Sequence, residues 1–159
     1  VELDFLFVDN AAMQMILNPT QFDVILTENM FGDILSDEAS VIGGSIGLLA
    51  SASVGKENAM FEPIHGSYPQ ATGKGIANPV ASILSAAMLL EHFGLVEEAE
   101  AVKKAVELSI KLNVCTIDIN KDNHYTTEKV GDFLEGLISE VDNISINNEN
   151  LNLGQMTII

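Results

Sequence analysis

The sequence is poor in positive charge and in long apolar runs, and each shortage excludes a class of protein. Only seven of its 159 residues are Lys or Arg, against 23 Asp or Glu, which gives a formal net charge of −16. Such an acidic chain repels the phosphates of nucleic acids and the head groups of anionic membranes, so we expect neither as a partner. No uninterrupted apolar run approaches the roughly 20 residues that a membrane-spanning helix needs.

Cysteine is almost absent as well. The single thiol, Cys115, cannot form a disulfide within the chain and suits a reducing compartment, which predicts a cytoplasmic protein. Its apolar neighbours Val114 and Ile117 predict a partly buried, unreactive side chain. The chain begins at Val1 rather than Met, and its first residues already have a strand pattern, so we expect it to be part of a longer protein.

What the sequence does contain is a hydrophobic fraction of 47%, arranged in alternating strand-like and helix-like patterns. Alternation of this kind predicts the α/β class. The predicted strands cover residues 1–8, 22–26, 48–54, 59–61 and 114–119. The predicted helices cover residues 11–17, 29–42, 79–93, 97–112 and 126–138.

Two acidic residues lie one helical turn apart in the predicted helix 29–42. Asp33 and Asp37 would share one face with their Cβ atoms about 5–6 Å apart, which is unfavourable unless a cation lies between them. Without Cys or His nearby, the expected cation is a hard divalent ion such as Mg²⁺ or Mn²⁺. Gly32, directly before Asp33, would permit close approach of a ligand or another backbone. The alternative interpretation is an ordinary solvated face of the helix.

A second candidate site lies in residues 62–79, which are too rich in Gly and Pro for regular structure. Loops that carry polar side chains between regular elements are typical places for binding sites, and the run His65, Gly66, Ser67 favours a ligand-binding loop. A structural role for the histidine is the alternative. The glycine-rich residues 43–47 are not a dinucleotide fingerprint, because they follow a predicted helix, whereas a Rossmann glycine loop follows a strand.

Several long segments resemble the C-terminal half of the isocitrate/isopropylmalate dehydrogenase family of β-decarboxylating enzymes. The shared sequences include Gly-Asp-Ile-Leu-Ser-Asp at 32–37 and His-Gly at 65–66. The sequences Asn-Ala-Ala-Met-Gln at 10–14 and Asp-Glu-Ala-Ser at 37–40 are more similar to the isopropylmalate branch than to the isocitrate and tartrate branches. The resemblance implies part of a two-domain, non-Rossmann α/β fold. The matching segments are residues 8–14, 21–40, 49–53, 61–67 and 73–89.

The resemblance also implies roles for individual residues. Asp33 and Asp37 match the carboxylates that hold Mg²⁺ or Mn²⁺, and Asp9 matches a third metal carboxylate with a catalytic role near the proton transfer. In the family homodimer, Asp9 would reach into the site of the neighbouring subunit. The cofactor implied is NAD, bound at its adenosine end. The residues implied to bind it are Glu62, His65, Gly66, Ser67, Tyr68, Gln70 and Asn78.

The chain departs from the family pattern in two respects. Gln70 stands where many members have an aspartate that accepts hydrogen bonds from the adenine ribose. Glutamine does not repel a 2′-phosphate, which weakens the implied preference for NAD over NADP, although no Arg or Lys cluster is present to bind that phosphate. The family's catalytic lysine and tyrosine, and the arginines that bind substrate carboxylates, match no residue of this chain. We therefore expect it to need the N-terminal half of such an enzyme as a partner.

The family's domain plan predicts that residues 1–43 belong to the substrate and dimerisation domain and residues 44–141 to the NAD-binding domain, with 142–159 as an Asn-rich extension. The leading hypothesis is part of an NAD-dependent, Mg²⁺- or Mn²⁺-dependent oxidative decarboxylase of 3-isopropylmalate, an enzyme of leucine biosynthesis. One alternative is a related dehydrogenase of the isocitrate or tartrate type. The other is a non-catalytic acidic metal-binding or assembly module.

Overall fold

A computed structural model describes residues 1–144 of the chain, with side chains through residue 139. These residues divide into two compact units, Val1–Gly44 and 45–144, which we call the N-terminal and C-terminal units. Their assignment to a substrate domain and an NAD-binding domain stays a prediction. The regular elements are α1 (Val8–Leu17), α2 (Asn29–Ser40), β1 (Ala50–Val54), β2 (Ala59–Pro63), α3 (Val80–His92), α4 (Val96–Lys111) and α5 (Thr127–Ile144).

The helix α5 runs into the segment that was expected to begin an Asn-rich extension at residue 142. The rest of that predicted extension, residues 145–159, lies outside the described residues. None of the helices within residues 1–144 combines the length and the apolar composition that crossing a bilayer requires.

The N-terminal unit consists of α1 and α2 packed on each other. Their contact is a small core of Ala11, Met15 and Leu35. α1 ends at Leu17, just before Asn18 and Pro19, because a proline pushes the preceding residue out of the helical region. Both predicted helices are confirmed in this unit.

The strands predicted at 1–8 and 22–26 are wrong. Both segments lack a ladder, and Val8 already belongs to α1. The apolar side chains that suggested them are exposed instead of buried, with Phe7 at 86% and Leu26 at 95% of full exposure. A strand forms only where a neighbour satisfies its backbone hydrogen bonds, and no residue of the described part of the chain pairs with either segment.

The C-terminal unit begins with a β-hairpin. β1 and β2 pair antiparallel, with Ala50 opposite Pro63 and Val54 opposite Ala59. The backbone N–H of Gly55 donates to the carbonyl of Asn58 at 2.9 Å and closes the turn. Both predicted strands are confirmed with shifted ends, because the pairing begins at Ala50 and continues to Pro63.

The helix α3 is the apolar centre of the C-terminal unit. It packs on the hairpin and on α4, and its Ala81 and Ala87 are fully buried. Ser85 is buried too, and its hydroxyl is satisfied by donating to the carbonyl of Ala81 at 2.8 Å. Gly94, with a φ of +79°, terminates the helix directly after its predicted end at residue 93, since glycine adopts this left-handed conformation without strain.

The two remaining helices complete the unit. α4 packs on α3, and α5 packs on α4. α5 begins directly after Thr126, whose Oγ1 accepts the Lys129 N–H at 3.3 Å and caps the helix. The β-hairpin and the five α-helices among the described residues confirm the mixed α/β class. The main core cluster consists of Val80, Ala105, Val106, Val130 and Leu134.

The strand predicted at 114–119 is wrong, because these residues form a turn. The N–H groups of Ile119 and Asn120 both donate to the Thr116 carbonyl at 3.1 Å. Within the turn, the Thr116 hydroxyl donates to the carboxylate of Asp118. Such local side-chain bonds compete with a ladder and favour a turn. Cys115 is free and buried in this turn, which confirms the predicted burial of the thiol, and its lack of reactivity stays a prediction.

The core cluster leads to a stability prediction. Replacing Leu134 (Leu134→Ala), which is 1% exposed, leaves a cavity between α3, α4 and α5 and should lower the free energy of unfolding by about 2–5 kcal/mol. Urea unfolding followed by circular dichroism measures the change. Lys129→Ala, an exposed position of the same helix, is the matched control and should stay within about 0.5 kcal/mol of the parent chain. Equal effects of the two substitutions would contradict this core.

Candidate functional site

The predicted carboxylate pair lies on α2, in the N-terminal unit. Asp33 and Asp37 are both exposed, one helical turn apart. The side-chain amide of Asn29 donates to Asp33 Oδ2 at 3.0 Å and fixes one oxygen of that carboxylate. Within residues 1–139, no cationic side chain forms an ion pair with either aspartate. Exposed, uncompensated carboxylate oxygens suit a hard divalent ion, so the donor chemistry fits Mg²⁺ or Mn²⁺.

Gly32 has a local reason to be glycine. A Cβ at this position would lie 3.0 Å from the Thr27 methyl carbon Cγ2, so α2 approaches the preceding segment closely. The sequence analysis expected a close approach here, and the structure shows that the approaching group is the chain's own side chain.

The third predicted metal carboxylate, Asp9, lies in the first turn of α1 and is exposed. Its Oδ1 accepts a hydrogen bond from the backbone N–H of Asn10 at 2.7 Å. Although α1 packs on α2, no group of three or more acidic, histidine or cysteine side chains in the described residues could hold one metal ion. A single copy of the chain therefore brings Asp33 and Asp37 together on one helix without joining Asp9 to them.

Most of the predicted adenosine-binding residues lie in one surface loop between β2 and α3. Glu62 is at the end of the hairpin, and the loop follows directly. His65 is half-buried, with its Nδ1 at 3.0 Å from the carbonyl oxygen of Gly66. The carbonyl of Tyr68 accepts the Ala71 N–H at 3.0 Å in a short 3₁₀ turn, whose buried member is Ala71. The exposed predicted residues of this loop are Gly66, Ser67, Tyr68 and Gln70.

Asn78 occupies the other end of the loop and is bonded at both ends of its side chain. Its Oδ1 accepts the backbone N–H of Val80, the first residue of α3, at 3.0 Å, while Pro79 occupies the N-cap position. Its Nδ2 donates to Asp118 Oδ2 at 2.9 Å. The helix begins at Val80, one residue after the proline that was expected to open it.

Asp118 is a residue of this site that the sequence analysis missed. Ser45 Oγ donates to its Oδ2 at 2.5 Å, and Thr116 Oγ1 donates to its Oδ1 at 2.5 Å. Partial burial acts to raise the pKa of the Asp118 carboxyl, but the hydrogen bonds from Ser45, Thr116 and Asn78 outweigh it and hold the pKa below its ordinary value. The only signal in the sequence was the Thr-x-Asp spacing of Thr116 and Asp118, which is typical of a turn. The prediction of a strand over residues 114–119 hid that signal.

Ser45 and Gly47, from the glycine-rich segment, also belong to this arrangement. The N–H of Gly47 donates to Ser45 Oγ at 3.0 Å. A Cβ on Gly47 would lie 2.7 Å from the Cβ of Asn78 and 3.1 Å from Asp118 Oδ2. Only glycine therefore fits without displacing the Asn78 side chain. This segment therefore packs against the end of the loop, although it lacks the strand-to-helix context of a Rossmann fingerprint.

The lowered pKa of Asp118 generates a prediction about pH. Its ionised form is favoured by folding, so its contribution to stability is present above the ordinary carboxyl pKa of 3.8 and is lost as the pH falls through the lower folded-state value. Asp118→Asn should therefore destabilise the chain most at neutral pH, and the difference from the parent should shrink below about pH 4. Urea unfolding at pH 7, 5 and 3 measures this. Asp122→Asn, an exposed position nearby, is the control. The prediction would be contradicted if the difference in unfolding free energy between Asp118→Asn and the parent chain were the same at every pH.

Comparison with known proteins places these features in a family. Residues 1–134 match the family model for isocitrate/isopropylmalate dehydrogenase. The chain is 55% identical over 144 residues to the 3-isopropylmalate dehydrogenase of Thermotoga maritima, covering 89% of this chain and 40% of the relative. It is 60% identical over 120 residues to that of Wolinella succinogenes, covering 75% of this chain and 34% of the relative. The chain thus spans well under half of these curated relatives.

Solved structures show the same similarity in three dimensions. The isocitrate dehydrogenase of Methylococcus capsulatus matches with a TM-score of 0.80 and 42% identity, over 82% of this chain and 39% of that one. A β-decarboxylating dehydrogenase of Thermococcus kodakarensis, in its apo form, matches with a TM-score of 0.78 and 39% identity, over 97% and 44% of the two chains. These matches confirm the fold that the resemblance implied, and the chain belongs to the isocitrate/isopropylmalate dehydrogenase family.

Proposed function

We propose that this chain supplies the metal carboxylates and the adenosine-binding loop of an NAD-dependent oxidative decarboxylase of 3-isopropylmalate. The observation that carries the proposal is the identity of 55–60% to 3-isopropylmalate dehydrogenases, together with a family match over residues 1–134, which include both candidate sites. The remaining catalytic groups would come from the portion of the relatives that this chain does not match. The proposed location is the cytoplasm, in keeping with the single free thiol.

The exposed pair on α2 supports the metal part of the proposal. Asp33 and Asp37 would hold Mg²⁺ or Mn²⁺ through carboxylate oxygens, and Asn29 would keep the Asp33 carboxylate oriented through its hydrogen bond. When bound, the ion supplies a Lewis acid that polarises the substrate oxygen during oxidation and again during loss of CO₂.

A homodimer would complete the carboxylate set. Asp9 is exposed at the start of α1, where a second subunit could receive it, and we propose that it contributes there as a metal ligand and in proton transfer. The apolar surface of α2 supports such an arrangement, since Met30 and Ile34 are 60% and 59% exposed beside the carboxylates. Apolar side chains exposed in a group are typical of surfaces that another chain covers.

The surface loop supports the nucleotide part of the proposal. Between residues 64 and 77 the only Lys or Arg is Lys74, so the loop lacks the basic cluster that a 2′-phosphate would need. We propose that Gln70 binds the ribose hydroxyls of NAD, with Tyr68 exposed beside the same site. The loop is held at its ends and open along its length, which suits the binding of an extended ligand.

A second candidate function is a related dehydrogenase that acts on isocitrate. The 42% identity to the isocitrate dehydrogenase of Methylococcus capsulatus favours keeping it. A non-catalytic acidic module is the remaining alternative, and it predicts metal binding without turnover in any combination of chains.

The metal assignment can be tested by removing one carboxylate. In the complete enzyme, Asp33→Asn should lower turnover at a fixed Mg²⁺ concentration by at least about 100-fold while leaving the circular dichroism spectrum unchanged, because one of two charged ligands is lost. A titration of activity with Mn²⁺ measures the effect. Asp23→Asn removes an equal charge from an exposed position of the N-terminal unit and should leave activity unchanged. Near-parental activity of Asp33→Asn at low Mg²⁺ would end the assignment.

The proposed activity can be tested by complementation. The 159-residue chain should form no NADH from 3-isopropylmalate by itself, because it has no match to the family's lysine and tyrosine for proton transfer. Adding the complementary N-terminal half should produce turnover that requires Mg²⁺ and prefers NAD to NADP. Isocitrate and tartrate are assayed in parallel. Turnover by the chain alone would refute its need for a partner half, and faster turnover of isocitrate would favour the second candidate.

A further inference from the structure

We infer that Asp118 is a positioning residue of the nucleotide site: its carboxylate fixes the Asn78 side chain and thereby the end of the loop that binds the adenosine moiety. This inference rests on the proposed function, because it assigns a role within the same site. None of the sequence motifs pointed to Asp118, and its role is visible only from the contacts that converge on it.

The geometry joins three segments that are far apart in the sequence. Asp118 accepts hydrogen bonds from Ser45 and Asn78, which precede it by 73 and 40 positions, and from Thr116 in its own turn. A carboxylate is suited to this place because it only accepts hydrogen bonds, and all three partners donate. Bonds to an ionised acceptor are also stronger than those between neutral groups.

These bonds determine the conformation of Asn78. Its oxygen is held by the N–H of Val80 and its nitrogen by Asp118, so the amide plane has one orientation. A Cβ on Gly47 would lie 2.7 Å from the Asn78 Cβ, so the glycine at this position leaves room for the Asn78 side chain where it lies. One N–H of the amide and the second lone pair of its oxygen remain for a ligand.

The preceding residues of the loop are anchored independently. Thr127 donates from its N–H to the Gly75 carbonyl at 2.8 Å and from its hydroxyl to the Ala77 carbonyl at 2.5 Å. The loop end from Gly75 to Asn78 is therefore fixed before any ligand binds. A site that is already ordered loses less conformational freedom on binding, which raises affinity.

The charge of Asp118 and its hydrogen bonds should affect NAD binding in opposite directions. NAD carries a diphosphate, and the chain already has a net charge of −16, so a further carboxylate beside the site opposes binding. Removing the charge of Asp118 should strengthen binding if charge alone matters. Removing its hydrogen bonds should weaken binding if the residue positions Asn78, so the two explanations predict opposite changes.

The first experiment measures binding of NAD and of ADP-ribose to the full chain, together with the complementary N-terminal half, by isothermal titration calorimetry. Asp118→Asn should weaken both by about tenfold, the loss expected when one charge-assisted hydrogen bond is broken. Asp118→Glu keeps the charge but displaces the carboxylate by one methylene, and it should also weaken binding. Asp122→Asn, which removes a charge from an exposed position four residues further along the chain and without these contacts, should bind as the parent does or slightly more tightly.

The second experiment is a double-mutant cycle, which separates positioning from general destabilisation. Adding Asp118→Asn to Asn78→Ala should cause little further loss of affinity, because the group that Asp118 positions is already absent. Adding it to Gln70→Ala should cause its full loss, since Gln70 lies elsewhere on the loop. If Asp118→Asn does not fold, the same cycle with Asp118→Glu decides the question.

The outcomes distinguish this inference from the proposed function. If the parent chain, measured together with the complementary N-terminal half, binds neither NAD nor ADP-ribose, the proposed nucleotide site is wrong and the inference falls with it. If the parent binds both and the Asp118 variants bind equally well or better, only the positioning role is refuted. Equal losses in the two cycles would also refute it, because a merely structural residue affects both backgrounds alike.

Discussion

The burial of α3 is the interaction on which the C-terminal unit depends. Small side chains make this burial possible, because Ala81 and Ala87 on α3 and Ala99 on α4 are fully buried and allow close packing of neighbouring elements. The hairpin covers another part of the same helix. With α3 fixed on several sides, its N-terminus has a defined position, and the candidate nucleotide loop ends at that position.

The loop illustrates how an irregular segment can be ordered without regular hydrogen bonding. Its ends are held by the hairpin, by Asn78 at the start of α3 and by Thr127, and its middle by the buried methyl group of Ala71. The stretch between these anchors is left exposed. Polar groups on such a segment are open to a ligand, while the helices and strands around it hold them in place. Binding loops on rigid scaffolds commonly have this arrangement.

The N-terminal unit depends more on the hydrogen bonds within its helices than on a buried core. Its core is small, and apolar residues such as Phe7, Leu26 and Ile34 remain exposed. Helices α1 and α2 nevertheless form, since their hydrogen bonds are internal to each helix and need no neighbouring segment. The same locality places Asp33 and Asp37 one turn apart on α2, whereas Asp9 lies on α1 and forms no three-ligand group with them in the described part of the chain.

The sequence by itself determined the features whose causes are local. Residues close together in the sequence predict the ends of α1 and α3, the two strands of the hairpin, the acidic pair on α2 and the family. The errors fell on residues 1–8, 22–26 and 114–119, where apolar patterns resemble strands but a strand also needs a partner. Only the tertiary structure decided that Ser45, Asn78, Thr116 and Asp118 converge, because hydrogen bonds between segments 40 to 73 positions apart depend on how α3 packs and leave no periodic signal in the sequence.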